Sequence, residues 1–176
     1  MTDIEELIPN LRALSISQET LNSIGECSVD NITKLPIHYS NITRLPDLSK
    51  FTKLNILDIR GNKIENMEEV GKISSLTYLD MNTLNLHQNM IDFSNLTNLT
   101  SLSMSNCSLW SEDLENLKNL KNNSNLTINL SNNAIIDTTV LLELNPNTKI
   151  NLTRNVNLSQ DSKDKLKAKF GNNVTF

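Results

Sequence analysis

Apolar residues recur along this chain in a fixed cadence. The clearest unit runs from Leu54 to Ile64 and reads L-x-x-L-x-L-x-x-N-x-I, with Ile59 at the sixth position and Asn62 at the ninth. Met67, Val70, Ile73 and Leu76 follow at three-residue intervals, and Leu76 opens the next unit. Anchored there, seven copies begin at Leu11, Ile32, Leu54, Leu76, Leu99, Asn125 and Asn147. The period is about 22 residues, with a longer unit between Leu99 and Asn125. Strands are predicted over Leu14–Ile16, Leu35–Ile37, Leu57–Ile59, Leu79–Met81, Leu102–Met104, Ile128–Leu130 and Ile150–Leu152.

The cadence has a physical reading. Alternation at the fourth and sixth positions places both side chains on one face of a short strand. No unit can bury that face alone, so successive units must stack, one parallel strand per repeat. The apolar residues spaced by three then line the inside of the return segment. An Asn at the ninth position suits the turn after the strand, where its amide can satisfy buried backbone groups. That position reads Glu19, Ser40, Asn62, Leu84, Cys107, Asn133 and Asn155. Glu19 and Leu84 depart from the pattern, which leaves the register open in the first repeat and around Leu84. Pro36, which lacks a ladder donor, predicts an irregular second strand.

This pattern resembles the 22-residue leucine-rich repeat class of bacterial internalins and some eukaryotic phosphatase regulators, and the resemblance covers nearly the whole chain. It implies an α/β repeat solenoid, a right-handed superhelix. About seven short parallel strands would line the concave face, with turns, 3₁₀ pieces and short helices on the convex face. In that family Cys substitutes for Asn at the ninth position, so Cys107 is expected in the core. The repeats are expected over 1–158 and a C-terminal cap over 159–176. The cap should hold a helix with Leu166 and Phe170 on one face, ended by Gly171, then a strand at Val174 and Phe176. The long unit predicts a true helix from Ser111 as N-cap through Leu114, Leu117 and Leu120. Ile4, Leu7 and Ile8 read as the end of a preceding repeat or a short covering helix.

Charge and composition exclude several roles. The formal net charge is -4 and only 4% of residues are aromatic. There is no basic stripe for a phosphate backbone and little to stack on bases, so no nucleic-acid partner is expected. No stretch is long and apolar enough for a membrane span. The acidic start, without a long apolar run, predicts a cytoplasmic protein if the sequence is complete. A trimmed chain would instead suit an extracellular or cell-surface place. Cys27 and Cys107 fall four repeats apart, roughly 19 Å at about 4.8 Å per strand, too far for a disulfide. Both are expected as reduced, mostly buried thiols. His38 and His87 have no metal-binding spacing, no phosphate loop is present, and no cofactor is expected.

The third, fifth and seventh strand positions should face outward on the concave sheet. In the last three repeats they carry mostly Ser, Thr and Asn. The second to fourth repeats instead gather His38, Tyr39, Ile56, Asp58, Arg60, Tyr78, Asp80 and Asn82. Tyr and Arg are enriched at binding hot spots, so this patch is the expected contact for a protein or peptide ligand. Asp58 and Asp80 should sit side by side on adjacent strands, with Arg60 as the favoured partner. A hydrolase or transferase built on the two carboxylates is the remote alternative. The family resemblance offers another, the repeat region of an internalin-like surface adhesion protein. Trp110 is expected under the helix of the long unit or as an exposed anchor. A monomer, or a weak dimer through the N-terminal edge, is the expected assembly.

Overall fold

The structure, a computed structural model, describes residues 16–176. One sheet of seven parallel strands runs in sequence order: β1 Lys34–Pro36, β2 Ile56–Asp58, β3 Tyr78–Asp80, β4 Ser101–Ser103, β5 Thr127–Asn129, β6 Lys149–Asn151 and β7 Val174–Thr175. Strands β1 to β6 each hold the third to fifth positions of a repeat, one residue earlier than predicted. Helix α1 spans Gln18–Glu26 and α2 spans Gln160–Phe170. Between them the return segments are 3₁₀ pieces at Leu48–Lys50, Met67–Lys72, Ser111–Leu120 and Thr139–Glu143. The predicted strand at Leu14–Ile16, the segment carrying Ile4, Leu7 and Ile8, and the N-terminal edge proposed for dimers lie wholly or mainly outside the described residues.

Register follows the repeat. Leu35, Leu57, Leu79, Leu102, Ile128, Ile150 and Val174 form one cross-strand row, all buried. The sixth-position residues Ile37, Ile59, Met81, Met104, Leu130 and Leu152 are also buried. A single hydrophobic core therefore runs the length of the stack, as the nearest-neighbour logic of repeats requires.

Pro36 does not disturb β1, which pairs in register with β2. The Ile37 N–H donates to Asp58 O at 2.8 Å, so alternate residues face β2 and Pro36 falls between them. Its missing N–H would point away from β2, and no ladder bond is lost on that side.

The long unit is 3₁₀ over Ser111–Leu120 rather than α-helical, and its N-cap is Trp110 rather than Ser111. The physical reason lies in the spacing: Leu114, Leu117 and Leu120 recur every three residues, which matches three residues per turn and buries all three. Ser111 Oγ instead accepts the N–H groups of Ile136 at 3.0 Å and Asp137 at 2.9 Å, tying this repeat to the next. The first repeat is also corrected. Glu19 is no ladder residue; it lies in the first turn of α1, whose N-cap Ser17 accepts from Thr20 N–H at 3.1 Å.

Ser159 caps α2, Leu166 and Phe170 are buried, and Gly171 ends the helix with φ 56° before β7 adds to the sheet. Both cysteines are free, but Cys27 is exposed, at the C-cap of α1 and outside the repeat core, with its thiol on Ser23 O at 3.2 Å. Cys107 is buried, and burial pushes its thiol up to about 12.

Convex turns are fixed by aspartates. Asp47 accepts from the Ser49 hydroxyl and N–H, Asp92 from the Ser94 N–H and hydroxyl, and Asp137 from the Thr139 hydroxyl and N–H. These bonds hold all three carboxyls below the ordinary value of 3.8. As pH falls, the unfolded chain therefore takes up these protons before the folded one does. Their stabilisation is complete above the unfolded value and is lost as pH falls through the lower folded values. Asp58 has the opposite sign: its folded value is raised, so it protonates first in the folded state and partly offsets the trend below that value. Melting temperature should hold steady from pH 7 to 5 and decline towards pH 2. A maximum below pH 3 would contradict this balance.

Candidate partner-binding face

Four of the candidate residues lie on two adjacent strands, β2 and β3, and four sit on the turns that follow β1, β2 and β3. In register, Lys34, Ile56 and Tyr78 form one row, and Pro36, Asp58 and Asp80 form the next. His38, Arg60 and Asn82 come two residues further on, and Tyr39 stands at the eighth position of the second repeat. Repeat arithmetic thus brings these residues together, as their positions imply.

Arg60 joins the two carboxylates. Its guanidinium lies 3.2 Å from Asp58 Oδ2 and 3.4 Å from Asp80 Oδ2. His38 Nδ1 is 3.0 Å from Asp58 Oδ2, an ion-pair distance, though the ring is not aligned for a hydrogen bond. Asp80 also accepts from Asn82 N–H at 3.0 Å, with the Tyr78 hydroxyl at 3.5 Å. Asn82 Oδ1 then takes the Ser103 hydroxyl at 2.8 Å and Ser105 N–H at 2.6 Å. The network therefore continues into the polar rows of later repeats.

Burial separates these residues. Asp80 is 2% exposed and Asp58 9%, so both lie in the sheet surface rather than on it. Burial raises the Asp58 carboxyl, more than Arg60 lowers it, and the Asp80 charge adds to the rise. Tyr78 is raised as well, first by burial and then by the two aspartates. Removing Arg60 would leave two largely buried carboxylates without their cation. Because Arg60 itself is more than a third exposed, Arg60→Ala should cost about 1–2 kcal/mol, below the range for a fully buried pair. Chemical denaturation would measure it, and a loss under 0.3 kcal/mol would show the network to be solvated.

The outward features are aromatic. Tyr39 is 61% exposed and Tyr78 37%, with Ile56 half-buried between their strands. Tyr39 is held in place by backbone geometry, with φ 49°, and its ring lies on Gly61. A Cβ on Gly61, itself at φ 67°, would meet that ring at 2.3 Å, so only glycine lets the tyrosine lie there.

Gly61 belongs to a rule that the sequence reading missed. The eighth position of the second to seventh repeats has positive φ throughout: Tyr39, Gly61, Thr83, Asn106, Asn132 and Arg154. Only one is glycine and two are asparagine, so composition gave little signal. In the first five the residue's own N–H donates to the seventh-position carbonyl of the next repeat, which holds the turn whichever side chain stands there.

A second exposed cluster lies on the flank, at the twelfth position of successive repeats: His87, Trp110 and Ile136. Trp110 is 52% exposed, not packed beneath the 3₁₀ segment, and stacks on His87 with ring centroids 5.1 Å apart. Asp113 organises the pair. Its carboxylate accepts from Trp110 N–H at 2.7 Å, Gln88 N–H at 2.9 Å and the His87 ring at 2.9 Å. Burial is the largest influence on Asp113 and opposes its charge, but these donors together outweigh it and hold the carboxyl below the usual range. Among the described residues no group of three or more His, Cys, Asp or Glu could hold a metal ion, and no helix is long and apolar enough to cross a membrane.

No family model matches the sequence, and no curated protein matches it significantly. Solved structures do. An internalin (inlF) from Listeria monocytogenes superposes with TM-score 0.52 at 20% identity, covering 94% of this chain and 52% of that one. An internalin C2 (inlC2) from the same species gives 0.47 at 20% identity, over 92% and 83% of the two chains. The chain spans about half the length of the inlF structure, so the likeness concerns the fold of the repeats. With its cadence and parallel sheet, that likeness gives this chain the leucine-rich repeat fold of the internalins.

Proposed function

We propose that this chain is a non-catalytic protein-binding module whose concave face at β1–β3 takes a protein or peptide ligand. The observation that carries the proposal is the pairing of two exposed tyrosines, Tyr39 and Tyr78, with a fixed Asp58–Arg60–Asp80 network beneath them. Aromatic side chains over a pre-paired polar base supply anchor area at small entropic cost, the composition of binding hot spots. His38, Ile56 and Asn82 complete the surface. The alternative of a hydrolase or transferase has less support, since both carboxylates are committed to Arg60 and lie low in an open sheet. Asp80 in particular has almost no exposed surface from which to act.

The test compares wild type with a Tyr39→Ala, Ile56→Ser, Tyr78→Ala variant in capture from lysate, followed by titration with the captured protein. Arg60 is left in place because its loss would destabilise the sheet. With circular dichroism unchanged, affinity should fall about tenfold or more. Equal affinity would move the site away from this patch. A second reading, the repeat region of an internalin-like surface adhesion protein, draws support from the shared fold. Cell fractionation distinguishes it from the cytoplasmic module: recovery in the wall or medium favours the surface reading, and recovery in the cytosol removes it.

A further inference from the structure

A break in the ninth-position ladder leaves backbone donors unserved beside a groove on the flank of the solenoid. At Asn62 and Asn133 the carboxamide oxygen accepts two backbone N–H groups from the preceding repeat, and at Asn155 it accepts one, that of Ile135 at 3.2 Å. Asn62 Oδ1 takes those of Ser40 and Ile42, each at 3.0 Å. Asn133 Oδ1 takes those of Cys107 at 3.0 Å and Leu109 at 3.1 Å. Leu84 stands at the same place over the third repeat and has no acceptor to offer. The equivalent donors, the N–H groups of Asn62 and Ile64, have no partner among the described residues, although both residues are buried. A groove of about 440 Å³ lies at this point, lined by these two residues and by Leu84.

We infer that this groove accepts a neutral carboxamide, the side chain of an Asn or Gln on a peptide segment of a partner protein, in the role the missing ladder Asn would fill. The chemistry of the lining selects it. Two adjacent unserved N–H donors call for an sp² oxygen. Met67 and Leu86 give the groove an apolar lining suited to the methylene of such a side chain. Lys63 and Glu65 carry opposite charges there, so no net field favours a free carboxylate. Asn85 and Asn89 add amide groups that can accept from the ligand's NH2. This site is separate from the concave patch and does not depend on that reading.

The experiment uses the isotopically labelled full chain and follows the Asn62 and Ile64 amide signals by NMR. N-acetylasparagine amide is the probe, with N-acetylaspartate amide and N-acetylleucine amide as controls. The expected result is a saturable shift of both amides with the carboxamide alone. It should vanish in Leu84→Asn, whose own side chain restores the ladder. In that variant both amides should exchange with solvent at least tenfold more slowly. If Leu84→Asn does not fold, Asn85→Trp, an exposed change at the groove, should abolish the shift instead. Three results would each overturn the inference: both amides strongly protected in wild type, equal shifts with the leucine control, or shifts with the aspartate probe only.

Discussion

Replacing Asp113 with alanine should lower stability by about 3 kcal/mol, from two backbone donors left unserved in a largely buried place and a charge-assisted bond to histidine lost. Its carboxylate reaches three elements of two repeats: Trp110 at the start of the 3₁₀ segment, Gln88 in the preceding turn, and His87. Gln88 is held at φ 59°, so losing its acceptor also frees a turn that its backbone does not favour. Trp110 is the sole tryptophan, so its fluorescence reports directly on the cluster. Both a lower melting temperature and a shifted emission maximum are expected. Asp113→Asn, which keeps one oxygen acceptor, should recover part of the loss. A stability change below 1 kcal/mol in Asp113→Ala would mean that water replaces the carboxylate.

Asn62→Leu should cost a similar amount, about 3 kcal/mol, for a different reason. The leucine keeps most of the volume, so packing changes little and the hydrogen bonds are isolated. Asn62 donates to Ile37 O and Ile59 O at 2.8 Å each and accepts from Ser40 N–H and Ile42 N–H. All four partners belong to buried or half-buried backbone that no other side chain serves as completely. The second repeat's turn, which carries Tyr39, would loosen with it. On the binding role proposed above, affinity at the face of β1–β3 should therefore fall together with stability. Equilibrium denaturation gives the first quantity and titration the second. Stability unchanged within 0.5 kcal/mol would show that the ladder merely fills space, and it would weaken the reasoning about Leu84 as well.

Leu84 shows how sequence and structure divide the information here. The sequence marks it as a departure from the cadence, and Cys107, the next ladder residue, as a permitted one. Cys107 does work as a partial substitute, its thiol donating to Met81 O at 3.1 Å. Leu84 cannot, because a hydrocarbon has no atom for the purpose, and only the stacked coordinates reveal which N–H groups lose an acceptor. Likewise, adding one repeat length to Asp58 places Asp80 beside it, and Arg60 two residues on. That Asp80 is almost fully buried, with the Arg60 guanidinium, the Tyr78 hydroxyl and the Asn82 N–H around its carboxylate, is seen only in the stacked structure.

What the sequence alone determined is everything that a period expresses: the strand order, the core rows and the ladder asparagines. Each follows from the need of an apolar stripe to meet its copy in the next repeat. The tertiary structure decided what has no period. The left-handed eighth position accepts six residues of five types, since backbone bonds to the next repeat, rather than the side chain, hold the turn. Ser111 became a bridge between repeats rather than a cap, Trp110 stayed on the surface over His87, and Cys27 turned outward from α1. In each case the outcome rests on a partner 20 or more residues away or on the face a helix presents, neither of which local pattern encodes.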